Sequence, residues 1–308
     1  MDTLVIATRG SRLALWQAEH VKARLQALHP ELAISLSINK TKGDIIQDVP
    51  LATIGGKGLF VKEIEEALLS KKADLAVHSI KDVPMVLPDG LLLACIPKRE
   101  KPCDVFCSMR YAHFSDLPKN AKVGTSSLRR QAQILHKRPD LTVESLRGNI
   151  DTRLRKLAEG QYDAIILAEA GLSRLGLSSP CMERFEPSFL LPAVGQGALG
   201  IECREDHYRA LCLLAELEDW ETRVCVEAER GFLAGLDGGC QVPIAGHALL
   251  QGETLCLRGL VGEIDGSRLI RAEKSGPSSE ARELGLALAS EVLDQGARLI
   301  LEALYARQ

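Results

Sequence analysis

The sequence predicts an α/β protein: two blocks in which strands alternate with helices, then a smaller α+β segment at the C-terminus. Three observations lead there. Short apolar runs alternate with helical periodicity from Thr3 to Ala168. Asp74-Leu75-Ala76-Val77 and Asp163-Ala164-Ile165-Ile166 occupy similar places in the two blocks, as related domains would. Beyond Asp219 the order becomes strands followed by helices. A chain of 308 residues also exceeds one ordinary core.

Thr3 to Thr8 is an apolar strand, and Ser11 to Leu28 places Leu15, Ala18, Val21, Leu25 and Leu28 at helical spacing. Ala33 to Ile38 alternates like a half-buried strand. Lys40 to Lys57 is a long Gly- and Lys-rich segment, read as a lid or as disorder. Phe60 to Leu69 is a helix, and Asp74 to Val77 and Leu91 to Ile96 are strands. Pro97 to Pro102 breaks the pattern and reads as a hinge. In the second block Lys122 to Gly124, Thr142 to Leu146 and Asp163 to Ala168 are strands. Leu128 to His136 and Asp151 to Glu159 are helices. Such alternation predicts mainly parallel sheets with crossover helices. Leu199 to Cys203 is strand-like. Trp220, Val224, Ala228, Phe232 and Leu236 recur every fourth residue, so one helix should carry the chain to Cys240. Strands at Ile244 to Leu250, Thr254 to Leu260 and Leu269 to Ala272 precede helices over Ser279 to Tyr305.

The bulk numbers exclude several classes. Net charge is −3 and aromatics are 4% of residues, which gives no reason to expect nucleic acid. No apolar run reaches the ~18 residues of a membrane span, and Met1 to Arg9 reads as a strand rather than a signal peptide. Nine cysteines without any Cys-x-x-Cys suggest reduced cytoplasmic thiols rather than disulfides or zinc. No metal motif is present.

Three strand-to-helix junctions share a composition: Thr8-Arg9-Gly10-Ser11, Thr125-Ser126-Ser127 with Arg129 and Arg130, and Arg147-Gly148-Asn149-Ile150-Asp151 with Arg153 and Arg155. Each reads as simple N-capping or as an anion site, since helix N-termini offer unpaired N–H groups and positive partial charge. Three together favour a polyanionic ligand at the carboxyl ends of the strands. Val77-His78-Ser79-Ile80-Lys81-Asp82-Val83-Pro84 emerges at the same kind of edge. Asp82 there is either a turn residue paired with Lys81 or a carboxylate that stabilises a developing cation or carries protons. His78 reads as a structural histidine rather than a base. Gly195-Gln196-Gly197-Ala198-Leu199-Gly200 fits a dinucleotide fingerprint, but its strand follows rather than precedes it. In Leu236-Asp237-Gly238-Gly239-Cys240-Gln241-Val242-Pro243 two glycines clear space beside a thiol, which suits a nucleophile or an attachment point.

These segments, in this order, resemble the porphobilinogen deaminase (hydroxymethylbilane synthase) family. The resemblance runs from Arg9-Gly10-Ser11 to the Cys240 loop through Gly55-Gly56-Lys57-Gly58-Leu59-Phe60, His78 to Pro84, Gly124 to Arg130, Arg147 to Arg153, Leu167 to Leu172 and Gly195 to Gly197. After Val242 it is one of length and pattern only. It implies two α/β domains like the lobes of type II periplasmic binding proteins, plus the small C-terminal α+β domain. The implied limits are 1–97 with a return segment 198–216, 103–191, and 219–308.

The resemblance further implies a dipyrromethane cofactor in thioether linkage to Cys240, porphobilinogen as substrate and a monomeric enzyme. Asp82 is the implied catalytic carboxylate. Ser79, Lys81, Asp82, Thr125, Ser127, Arg129, Arg130 and Gln196 are implied contacts of the cofactor. Arg9, Ser11, Lys57, Ser126, Arg147, Arg153 and Arg174 are implied contacts of the substrate carboxylates. Ile80 departs from the methionine common at that place and stays apolar. Two other readings remain: a non-catalytic two-lobed binding module for a small anion, and an unrelated transferase with a cysteine nucleophile.

Overall fold

The computed structural model describes residues 3–41, 61–238 and 242–306, and its chain divides into two compact units. The first holds Met1–Pro50, Gly56–Glu100 and Ala198–Arg223; the second holds Leu51–Gly55, Lys101–Gly197 and Val224–Gln308.

In the first unit, β1 (Thr3–Arg9) leads through a Ser11 cap into α1 (Arg12–Leu28), then β2 (Ala33–Asn39). Next come α2 (Lys62–Leu69), β3 (Leu75–Ser79) and β4 (Leu91–Cys95). The parallel strands β2, β1 and β3 form one side of a five-stranded sheet. A later strand, β10 (Leu199–Arg204), inserts antiparallel between β3 and β4. Alternation along the strands gives the sheet two apolar faces. Leu4, Ile6, Leu75, Val77, Ile201 and Cys203 pack with Ala18, Val21 and Leu25 of α1. Ala7, Ala76 and Leu91 pack with Ile64, Ala67 and Leu68 of α2 on the other. The α6 helix (Tyr208–Ala215) adds Ala210 and Leu214 to the first face.

The second unit repeats this order of strands. Parallel β7 (Thr142–Glu144), β6 (Lys122–Gly124) and β8 (Ala164–Ala168) are followed by antiparallel β5 (Asp104–Ser108) and then β9 (Cys181–Phe185). The helices are α3 (Leu128–Lys137), α4 (Ile150–Ala158) and α5 (Glu169–Leu175). Phe106, Phe114, Phe185 and Phe189 pack mostly edge to face beside this sheet.

The mainly parallel expectation therefore needs correction. In each five-stranded sheet two pairings are parallel and two antiparallel. The physical reason is the intruding strand, β10 or β5, which runs against its neighbours.

The remainder of this unit is an antiparallel meander, β11 (Ile244–Gln251), β12 (Thr254–Gly262) and β13 (Leu269–Pro277), against α8 (Ala281–Val292) and α9 (Arg298–Tyr305). Its core joins Leu255, Leu257 and Val261 to Leu288, Val292 and Ile300. The third strand runs to Pro277, beyond the Ala272 that its apolar residues suggest, because ladder pairing with β12 extends it. A five-residue π segment, Leu293–Ala297, interrupts the last helix, with Gly296 at φ 105°.

The long helix α7 (Trp220–Gly235) ends before Leu236, and Asp237 adopts φ 48°. It therefore stops short of the expected run to Cys240. Cys240 itself, Lys57 and most of the proposed lid lie outside the described residues. Among the described residues no helix is long and apolar enough to cross a membrane, and no cluster is placed to hold a metal.

Candidate active site

In the first unit two parallel strands end side by side, and their exits build one cavity. At the end of β1, Arg9 and Gly10 lead to Ser11, whose Oγ accepts from Ala14 N at 3.2 Å and caps α1. At the end of β3, Ser79 accepts from Gln17 Nε2 at 2.9 Å. The chain then tightens into a 3₁₀ turn, Ile80–Asp82, pinned by Ile80 N donating to Ala198 O at 3.0 Å. Arg9, Ser11, Gln17, His78, Ser79 and Asp82 line the cavity. Asp82 is exposed, Ile80 is buried beneath it, and Lys81 is half-buried on the same turn. An exposed carboxylate beside an arginine and two hydroxyls can hold a cationic centre while its neighbours bind an anionic arm.

The second unit builds its strand ends differently. After β6, Thr125 Oγ1 accepts from Ser127 N at 3.2 Å. Ser126 Oγ lies 2.9 Å from Ser145 Oγ and donates to Leu146 O at 2.8 Å. Ser127 caps α3 by accepting from Arg130 N at 3.4 Å. Arg129 and Arg130, in the first turn, are only 4% and 6% exposed.

Both guanidiniums converge on Asp104 of β5, which is fully buried. Arg129 Nη1 donates to Oδ2 and Arg130 Nη2 to Oδ1, each at 2.7 Å. Arg129 also donates to Leu191 O at 2.7 Å and to Gln196 Oε1 at 3.2 Å, and Arg130 to Ile166 O at 2.9 Å. Burial pushes the Asp104 carboxyl up, but the two guanidiniums overcome it and hold the group down at about 2.

Gln196 completes this network by donating to Asp104 Oδ1 at 3.0 Å. Its turn has Gly195 at φ 69° and Gly197 at φ 87°, a conformation that suits glycine. Buried Arg174 donates to Gly197 O at 2.7 Å, and buried Glu229 accepts from Gly195 N at 2.6 Å and from Ala248 N at 2.9 Å. In the third junction Asn149 caps α4 by accepting from Thr152 N at 2.9 Å, and Arg153 Nε donates to Gly148 O at 2.8 Å. Arg147 and Arg153 are half-buried.

The structure thus brings Arg9, Ser11, Ser79 and Asp82 to one cavity, and Arg129, Arg130 and Gln196 to one buried cluster. Sequence reasoning missed Asp104, Gln17, Glu202 and Glu229. Asp104 had a signal, the apolar run Val105-Phe106-Cys107 that marks its strand. Burial raises the thiol pKa values of Cys95, Cys103, Cys107 and Cys203, which makes them poor nucleophiles.

Residues 4–211 match the family model described as porphobilinogen deaminase, dipyromethane cofactor binding domain; residues 223–294 match that of the porphobilinogen deaminase C-terminal domain. The second range contains Cys240. The chain is 61% identical over 308 residues to the porphobilinogen deaminase of Nitratidesulfovibrio vulgaris (strain DP4), covering 99% of this chain and 98% of that protein. It is 56% identical over 306 residues to the porphobilinogen deaminase of Lawsonia intracellularis, covering 99% of each. Among solved structures, a putative methionine-binding lipoprotein of Bacillus subtilis is similar at TM-score 0.41 and 12% identity, covering 70% of this chain and 90% of that one. The two family models account for both ends of the sequence and the relatives for nearly all of it, so the chain belongs to the porphobilinogen deaminase family, enzymes of tetrapyrrole synthesis.

Proposed function

We propose that the chain is a hydroxymethylbilane synthase, a transferase that joins four porphobilinogen molecules head to tail with loss of ammonia at each addition. Water then frees the linear product. The observation that carries this reading is the cavity that Asp82 shares with Arg9, Ser11 and Ser79. Loss of ammonia leaves a cation-like pyrrole, and a carboxylate at that point stabilises charge as it develops. The arginine and hydroxyls suit the acetate and propionate arms of the substrate.

A dipyrromethane in thioether linkage to Cys240 would supply the primer pyrroles on which the chain grows. The residues present fit such a polycarboxylate. Asp104 sets one negative charge against the two of Arg129 and Arg130, so their cluster keeps a net positive charge in a low-dielectric interior. Ser79, Lys81, Asp82, Thr125, Ser127, Arg129, Arg130 and Gln196 would hold the primer. Arg9, Ser11, Lys57, Ser126, Arg147, Arg153 and Arg174 would hold substrate carboxylates. The three-domain division at 1–97 with 198–216, 103–191 and 219–308 belongs to the same proposal, as does a monomer in the cytoplasm.

Intact mass of the purified protein tests it. The expected result is an adduct worth two pyrrole units, absent in Cys240→Ala, which should also fail to form product. An unmodified protein with full activity overturns the reading.

A further inference from the structure

One polar side chain of the first unit's cavity has no part in the reaction described so far. Gln17 lies on the face of α1 that packs against the sheet, together with Ala14, Ala18, Val21 and Leu25, and is 3% exposed. An amide on such a face is costly to bury unless it is hydrogen-bonded. Its Nε2 donates to Ser79 Oγ at 2.9 Å, across 62 residues of sequence. Alternation along β3 sends Val77 and Ser79 to the α1 side of the sheet and Ala76 and His78 to the α2 side. His78 there lies 3.0 Å from Glu202, whereas Ser79 meets Gln17 at the cavity.

The direction of that bond sets what Ser79 can offer a ligand. A serine hydroxyl carries one proton and two lone pairs. The amide N–H of Gln17 occupies a lone pair, so the hydroxyl proton is left for another acceptor. The side chains of Gln17 and Ser79 make no other hydrogen bond among the described residues. Ser11, on the same cavity, is held in the same sense: its Oγ accepts from Ala14 N. Both hydroxyls are therefore tied down by N–H donors and both keep a proton to give. Two such donors beside the Arg9 guanidinium suit a carboxylate, which only accepts. Thr8, one strand residue further in, is the contrast, because its Oγ1 gives its proton to Ala14 O at 3.1 Å.

We propose that Gln17 is a positioning residue: it fixes the Ser79 hydroxyl as a hydrogen-bond donor to a carboxylate arm of the pyrrole chain. The inference rests on the deaminase reading above. Gln17 acts through Ser79 and moves no proton in the reaction. An ionised carboxylate in place of the amide would reverse the bond, because it takes the Ser79 proton and turns the hydroxyl lone pairs toward the ligand. A thioether in its place would leave the hydroxyl free to rotate, so that its orientation is lost each time a ligand binds.

The experiment measures kcat/KM for porphobilinogen in wild type, Gln17→Met, Ser79→Ala and the double variant. Ser79→Ala should lower kcat/KM about 10–100-fold, the size of one hydrogen bond to a charged group, and Gln17→Met about tenfold. The double variant should be no slower than Ser79→Ala, because Gln17 then has nothing left to orient. Fold-losses that multiply in the double variant show that Gln17 acts apart from Ser79 and overturn the proposal. Turnover like that of wild type in Gln17→Met overturns it too. Gln17→Glu keeps the shape of the side chain and carries the test if Gln17→Met does not fold. Its deficit relative to wild type should narrow as pH falls, because a protonated carboxyl can donate to Ser79 as the amide does. That narrowing should vanish when Ser79→Ala is added. A deficit independent of pH, or a pH dependence that survives Ser79→Ala, overturns the proposal. Wild-type protein that releases no ammonia from porphobilinogen overturns the deaminase reading itself, whereas the variant outcomes bear on Gln17 alone.

Discussion

In both units parallel strands end in turns rich in Ser, Thr and Arg, yet the arginines are used differently. The first unit leaves Asp82 exposed on a cavity with half-buried Arg9. The second buries Arg129 and Arg130 around Asp104 and three backbone or amide acceptors. One order of strands therefore supports an open carboxylate in one case and a neutralised carboxylate in the other. The difference teaches that an aspartate near a strand end is open to a ligand or closed off according to what surrounds it. The exposed one lines an open cavity, and the buried one is taken up by two guanidiniums.

The two aspartates can be separated by substitution. Asp82→Ala should lower kcat by about 10²–10⁴ and shift unfolding free energy by no more than ~0.5 kcal/mol, read by steady-state kinetics and urea unfolding. Near-normal turnover in that variant would break the comparison at its functional end. Asp104→Asn should do the reverse in kind. It leaves two buried guanidiniums without a counter-charge among the described residues and should cost about 3–5 kcal/mol in urea unfolding.

Acid sharpens the same contrast. The folded Asp104 carboxyl sits at about 2, below its ordinary value of 3.8. Its contribution is therefore complete above the ordinary value and lost as pH falls through the folded one, on the order of 2 kcal/mol in all. The stability gap between wild type and Asp104→Asn should accordingly narrow as the solution is acidified from pH ~5 to pH ~3.

Glu65 should behave with the opposite sign and the smallest size. Its raised pKa means that the folded protein holds the proton more tightly than the unfolded chain, so a penalty grows as pH rises above the ordinary value of 4.5. Glu65→Gln mimics the protonated form. Its stability relative to wild type should increase with pH across that window, and a decrease would show that Glu65 is an ordinary ionised surface group.

Much of the fold was legible because long periodic segments report their own faces. The helices from Arg12 and Leu128 start at Ser11 and Ser127, whose capping roles were readable from the chain. The intruding strands were harder. Asp104 to Ser108 follows a run of Pro, Lys and Arg that reads as a hinge, and β9 carries two adjacent charged residues, Glu183 and Arg184. Their place is set by pairing with distant strands, which local pattern does not encode.

The candidate site divides in the same way. Asp82, Arg9 and Ser11 could be read from strand-end position and from resemblance. The partners of Arg129 and Arg130 could not, because Asp104 lies 25 residues away in sequence. His78 read as a structural histidine, and its carboxylate neighbour appears only once β10 lies beside β3. Family resemblance faded after Val242, although the C-terminal family model extends to residue 294.

Gly200 stands where β10 passes the end of β3. A Cβ there would come within 2.6 Å of both Ile80 Cδ1 and Leu93 Cδ1. Ile80 is 1% exposed and opens the 3₁₀ turn whose third residue is Asp82. A single added methyl at position 200 would crowd both side-chain ends and force Ile80, the base of that turn, to repack. The absence of a side chain at Gly200 thus serves as a height gauge for the turn that carries Asp82, set from the neighbouring strand.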